Sequence, residues 1–234
     1  MIGIQSMLRA VSNWLYPQVC LVCGLAGRDQ LDCCAGCEAE LPLAAPRCAC
    51  CGLVLPRPVQ RCGRCLARPP HFDASFPAFA WSGEIERLVH RFKFQHDLAA
   101  GRVLAALMAK RLTALGAPRP DLMVPVPLHH WRRLKRGFNQ SALLCQDLSR
   151  HLQHLPWAPA LRRRRRTPAQ SNLPAARRRG NVRAAFALSH LPVGTRHVAL
   201  IDDVMTTGST LDECARVLKR AGVERVDIWV VARA

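Results

Sequence analysis

Val198-Ala-Leu-Ile-Asp-Asp-Val-Met-Thr-Thr-Gly-Ser-Thr210 is the stretch that decides how this chain is read. An apolar run ends in two adjacent acids, continues through threonines and a glycine, and opens a helix. The pattern predicts a buried strand over 197–203 that delivers Asp202 and Asp203 to the carboxyl edge of a parallel sheet. The helix behind it presents free N–H groups, which suit a phosphate. Adjacent acids suit the two cis hydroxyls of a ribose, and residues 206–210 suit its 5-phosphate. The same residues also read as an ordinary strand, turn and helix cap.

The order Asp-Asp-x-x-Thr-Thr-Gly-x-Thr resembles the 5-phosphoribosyl-1-pyrophosphate (PRPP) loop of type I phosphoribosyltransferases. It is not a Walker A loop, because Ser209 stands where that loop needs its lysine.

Outward from this loop, helical and extended patterns alternate. A strand is expected over 72–81 and a helix over 84–94 with Ile85, Leu88, Val89 and Phe92 on one face. A second helix covers 98–115, ended by Gly116 and Pro118. Residues 122–126 form a short buried strand, 140–155 a helix, 209–221 a helix closed by Gly222, and 226–231 a last strand. Residues 162–183 are basic and poor in apolar positions, and read as a mobile loop. Such alternation predicts an α/β fold, a mostly parallel sheet flanked by helices. Ligands on such sheets sit beyond the carboxyl ends of the strands.

Two further groups of residues could face that edge. Val124-Pro-Val-Pro-Leu-His129 leads into Arg136-Gly-Phe-Asn-Gln140, a proline-rich turn that leaves a strand with backbone N–H groups near a basic residue. Thr167-Pro-Ala-Gln170, Arg178, Asn181 and Phe186 follow the run 162–166. A basic loop closing over a diphosphate fits this pattern, and so does a solvated loop or one that touches nucleic acid.

The first part of the chain differs in kind. Ten of twelve cysteines fall between Cys20 and Cys65. Cys20/Cys23, Cys34/Cys37, Cys48/Cys51 and Cys62/Cys65 are four Cys-x-x-Cys pairs, and equal gaps separate the first from the second and the third from the fourth. This predicts two four-cysteine zinc ribbons holding about one zinc each. Cys33 and Cys50 leave the exact ligand set ambiguous. Iron–sulfur ligation uses the same thiolates; disulfide modules and redox pairs fit the context less well. With four thiolates and no open position, the metal has a structural role and supplies much of the local folding energy. Pro69-Pro70 marks the boundary, giving a ribbon module over 1–68 and an α/β domain over 69–234.

Half of the 234 residues are apolar, enough for a sizeable core. Formal net charge is +18, from 34 Lys+Arg against 16 Asp+Glu. That field favours polyanions such as nucleic acid, polyphosphate or anionic lipid, although an arginine-rich genome would produce it too. No apolar run is long enough for a transmembrane segment, and the first residues do not read as an export signal, so a cytoplasmic protein is expected. Ile4, Met7, Leu8, Val11, Trp14 and Leu15 recur at helical spacing, as an amphipathic helix that packs on its own protein or, as the lesser alternative, on a membrane surface. Trp14, Trp131 and Trp157 read as core or contact residues, with core preferred.

Taken in order, the cysteine pairs, Val-Pro-Val-Pro-Leu-His, Arg-Gly-Phe-Asn-Gln, Gln170…Arg178…Asn181…Phe186 and the acidic loop resemble the ComF family, also described as GntX-like. The resemblance implies a double zinc ribbon joined to a phosphoribosyltransferase fold. It also implies a role in natural competence, the uptake of transforming DNA as a single strand in company with a helicase-like motor. On it, Asp202 and Asp203 would hold the ribosyl hydroxyls, partly through Mg²⁺. Val204, Met205, Thr206, Thr207, Gly208, Ser209 and Thr210 would form the PRPP loop. Val126, Pro127 and Leu128 would line the pyrophosphate turn, with Arg136, Arg163 and Arg178 neutralising the diphosphate. The reaction would be displacement of pyrophosphate at C1 of the ribosyl ring by a nitrogen nucleophile, helped by Mg²⁺ and arginine. No single catalytic side chain stands out.

Thr206 occupies the position where 6-oxopurine transferases carry an aspartate, which argues against a hypoxanthine- or guanine-type enzyme. No cysteine follows Met1, so a glutaminase is not expected. Three readings stay open: a transferase with an unidentified nitrogen acceptor, a single-strand-handling adaptor that keeps the pocket, and a zinc-stabilised binding protein whose pocket is vestigial. The adaptor reading predicts DNA binding that weakens steeply with salt.

Overall fold

The computed structural model describes residues 17–128, 137–164 and 184–234. The amphipathic pattern over 4–15, Trp131, Arg136, Thr167, Gln170, Arg178 and Asn181 lie outside the described residues. In chain order, the described part contains α1 (Ala35–Ala39), α2 (Gly63–Ala67), β1 (Ala74–Ala80), α3 (Gly83–Phe94) and α4 (Leu98–Ala114). There follow β2 (Leu122–Pro125), α5 (Gln140–His151), β3 (Leu161–Arg163), β4 (Phe186–Leu188), β5 (His197–Met205), α6 (Ser209–Arg220) and β6 (Arg225–Arg233).

The main sheet has the order β1-β6-β5-β2, and every pairing in it is parallel. A parallel sheet is covered on both faces, and the side-chain period of two sorts these strands into two cores. Met123, Ala199, Ile201, Trp229 and Val231 point to one face, where Leu88, Phe92, Leu104, Leu144 and Leu148 of α3, α4 and α5 meet them. Val124, Val198, Leu200, Ile228 and Val230 point to the other, against Leu211, Cys214 and Leu218 of α6. β5 is thus flanked by β2 and β6 and buried on both sides; its acids follow Ile201, the last residue paired with β2, and the strand runs beyond the expected 203 to Met205 beside β6.

The ribbons pack on this scaffold. Cys33 and Leu41 of the first share the core beneath α3 and α4. Arg91 of α3 donates to the Leu21 carbonyl at 3.0 Å, and Lys110 of α4 pairs with Glu38 at 2.9 Å. The second ribbon lies against β1 and the opposite core. A Cβ placed on Gly52 would come within 2.8 Å of Pro77 Cγ, and Gly52 has a φ of +67°, so this approach needs glycine on two counts.

Three expectations are corrected. The helix begun at Gln140 ends at His151 rather than 155: Gln153 and His154 take φ of 53° and 54°, and Arg119 donates to the Leu152 and Gln153 carbonyls. The basic stretch opens with regular structure, because Leu161–Arg163 pairs antiparallel with Phe186–Leu188. Trp157 is no core residue; it is 37 % exposed and bridges to Met123 at the edge of the sheet.

Candidate functional site

β5 carries Asp202 and Asp203 to the sheet edge, and Gly208 turns the chain into α6. Gly208 has a φ of 77°, and a Cβ there would meet Met205 Cε at 2.6 Å. Both facts select glycine at this turn. Thr207 Oγ1 and Ser209 Oγ lie 2.9 Å apart at the start of α6.

A cavity of about 340 Å³ opens beside the acids. Asp202, Asp203, Val204, Met205, Thr206, Gly208, Ser209 and Thr210 line it on one side. Val126, Pro127 and Leu128 line it from the turn after β2, and Arg163 enters from β3. Thr207 lines a neighbouring cleft instead. Such a volume lies in the usual range for small-molecule sites. The β2 turn is held by Asn139, which donates to the Val126 carbonyl at 3.2 Å while its Oδ1 accepts the Ser141 N–H at 3.1 Å, capping α5. Arg163 lies 5.3 Å over the Phe186 ring, a cation–π contact.

The two acids are differently served. Asp202 Oδ1 accepts from Ser141 Oγ at 3.0 Å and from the Asp203 N–H at 2.9 Å. Burial pushes its carboxyl up and the Asp203 charge adds to this; Lys93 and the hydrogen bonds oppose it, leaving a pKa of about 7. Asp203 Oδ1 accepts the Val204 N–H at 2.6 Å and pairs with Lys93 Nζ at 2.8 Å.

Sequence reasoning missed Lys93, whose only local signal is a place beside the apolar face of α3. Gln140 closes the Arg-Gly-Phe-Asn-Gln motif, where nothing in the local pattern assigns it a role. Gln140 is 1 % exposed and lines the cavity, and neither its Nε2 nor its Oε1 has a hydrogen-bond partner among the described residues. A buried amide without partners is costly and calls for an explanation; a polar ligand in this cavity supplies one. Two adjacent carboxylates beside a polar cavity also suit a hard divalent cation or a diol. Lys93 shows that this acid pair already accepts positive charge.

The cysteines gather as two sets, Cys20, Cys23, Cys34 and Cys37, and Cys48, Cys51, Cys62 and Cys65. Within each set all four sulfurs lie within 4.8 Å of one another. Cys23 and Cys34 sulfurs stand 3.7 Å apart, as do those of Cys51 and Cys62. A tetrahedral zinc with bonds of about 2.3 Å places its sulfurs roughly 3.8 Å apart, so both sets fit zinc. Cys33 and Cys50 stand outside both sets. Burial alone would raise the Cys20 thiol, but backbone hydrogen bonds, that from Cys23 foremost, bring it down to about 6, which favours a metal-ready thiolate. The second cluster is tied to the cavity: the buried Arg233 donates to the Cys51 carbonyl at 3.1 Å and to the Met205 carbonyl at 2.9 Å.

Comparison with known proteins agrees with this two-part plan. Residues 11–66 match the double zinc ribbon domain, and residues 141–234 match the phosphoribosyl transferase domain. Competence protein F of Haemophilus influenzae is 39 % identical over 209 residues, 86 % of this chain and 90 % of that one. The DNA utilization protein YhgH of Escherichia coli K12 is 36 % identical over 225 residues, 93 % of this chain and 97 % of its own. Competence protein ComFC of Bacillus subtilis is 27 % identical over 151 residues, covering 62 % and 57 % of the two chains. No helix among the described residues is long and apolar enough to cross a membrane.

Proposed function

The chain belongs to the ComF/YhgH family of competence and DNA-utilization proteins, and on that premise we propose that it handles incoming single-stranded DNA in the cytoplasm, beside a helicase-like motor, and carries a pocket for PRPP. The observation that carries the pocket is the meeting of Asp202, Asp203 and the Gly208 turn in one cavity with the orphaned Gln140 amide. In this reading Asp202 and Asp203 hold the ribosyl hydroxyls and residues 206–210 hold the 5-phosphate with N–H and hydroxyl donors. The β2 turn and Arg163 face the pyrophosphate. Mg²⁺, held by the acids with the ligand, would neutralise charge on the leaving pyrophosphate.

Transformation tests the whole reading. A strain lacking the related competence protein is complemented with this chain or with its Asp202→Ala/Asp203→Ala variant. The wild type restores transformants and the variant does not, at equal protein levels. Equal rescue by both would remove the pocket from the role; rescue by neither would remove the role.

A second reading is favoured by the match of residues 141–234 to phosphoribosyl transferases and by Arg163 in the cavity. Here the protein transfers the ribosyl group to a nitrogen acceptor in nucleotide metabolism. Pyrophosphate release from PRPP across an acceptor panel decides it; none with any acceptor leaves a binding pocket without turnover.

A further inference from the structure

The wall that carries Gly208 has a second side. Behind it a cleft of about 490 Å³ runs between the second zinc ribbon and α6, sharing Met205, Gly208 and Ser209 with the acid-lined cavity. Arg64 and Arg68 enter from the ribbon, and Arg216 and Arg220 from the helix. Asp212 and Glu213 are the acids in this cleft, and both are engaged. Glu213 is clamped by Arg216 through contacts of 2.8 and 2.6 Å, and it also accepts the Ala184 N–H. Asp212 accepts from the His71 N–H at 2.7 Å and meets the His71 ring at 3.0 Å. Arg64, Arg68 and Arg220 are left with no ion-pair partner among the described residues.

We propose that this cleft binds the phosphodiester backbone of single-stranded nucleic acid. The proposal deepens the DNA-handling reading and rests on it. Arg216 and Arg220 stand four residues apart on α6, while Arg64 lies in the one-turn α2 and Arg68 follows it in extended backbone. Arg216 is answered by Glu213, so the charge left for an outside anion is that of Arg64, Arg68 and Arg220. The arrangement is also preorganised. One pair is anchored by the cluster containing Cys62 and Cys65, the other by a buried helix, and Arg233 fastens the ribbon to the strand between them. Arginine forks match phosphate oxygens. Phe72 lines the cleft but is buried at 5 % exposure, and the His71 ring beside it is held at its edge by Asp212, so among the described residues charge outweighs stacking here. Recognition is then by backbone charge, independent of base sequence.

Fluorescence anisotropy with a labelled single-stranded oligonucleotide, over a series of salt concentrations, tests the assignment. Three zinc-loaded proteins are compared: wild type, Arg64→Ala/Arg68→Ala/Arg220→Ala, and a control with equal loss of charge, Arg87→Ala/Arg102→Ala/Arg196→Ala. Zinc content and thermal melting show that each is folded. The cleft variant should lose slope in log K against log salt by roughly 2, at about 0.7 per phosphate contact, and the control should lose little. Equal slopes in the two variants would overturn the cleft assignment while leaving DNA binding in place. Failure of the wild type to bind at low salt would overturn the reading that it contacts DNA at all. Competition by inorganic polyphosphate of matched charge at equal affinity would show a general polyanion site and overturn the nucleic-acid assignment.

Discussion

Lys93 Nζ stands 2.8 Å from Asp203 Oδ1, with both side chains largely out of solvent. The lysine comes from α3 and the acid from the end of β5, so a helix packed on the sheet supplies a cation to the acid pair. A divalent metal approaching Asp203 competes with this ammonium. Lys93→Met should therefore strengthen binding of Mn²⁺ alone, by on the order of tenfold or about 1.4 kcal/mol, as read by the free-ion electron paramagnetic resonance signal. Unchanged or weaker binding would mean that the metal does not meet the acids where Lys93 does.

Gln140 predicts an opposed pair of effects. Gln140→Leu removes two buried, unpartnered polar atoms, so the ligand-free protein should gain stability, by about 1–2 kcal/mol in denaturant unfolding. The same variant should bind PRPP more weakly. A loss of stability would show that Gln140 serves the fold and not a ligand.

Asp202 predicts a pH dependence. Its carboxyl is raised from 3.8 to about 7 by burial and by the Asp203 charge, so the folded protein retains a proton that the unfolded chain has released. The folded state binds more protons across this window. The Asp202 contribution to stability is therefore complete below about pH 4, declines as pH rises, and is gone above about pH 7. Asp202→Asn should flatten that decline in thermal unfolding measured without added divalent metal. A decline of equal size in the variant would assign it to another group.

Much of this was legible in the chain. The continuous apolar run of β5 and the acids that close it point to the carboxyl end of the sheet, and the cysteine spacings foretell both cysteine clusters. What escaped depends on contacts between distant segments. Nothing near Lys93 says that it reaches a strand more than a hundred residues away. The end of α5 was misplaced because Leu152 and Leu155 continue the apolar pattern after the backbone has turned. Trp157 looked like core because composition records size and apolarity but not position on a sheet edge.

The two zinc clusters should differ in what they control. Arg233 joins the Cys51 carbonyl to the Met205 carbonyl, whereas the first ribbon rests on α3 and α4 through Leu21 and Glu38. Cys51→Ser should lower both thermal stability and PRPP affinity. Cys23→Ser should lower stability while the folded fraction keeps its affinity. Equal loss of affinity in both variants would show that the clusters act only through global stability.

Calorimetric titration of the zinc-loaded protein with PRPP, with and without Mg²⁺, bears most directly on the central claim. Wild type should bind saturably at one site with Mg²⁺ present, and Asp202→Ala/Asp203→Ala should not bind although it is folded. Absence of binding by folded wild-type protein, or undiminished binding by the double variant, would contradict a ribose-phosphate pocket at the end of β5.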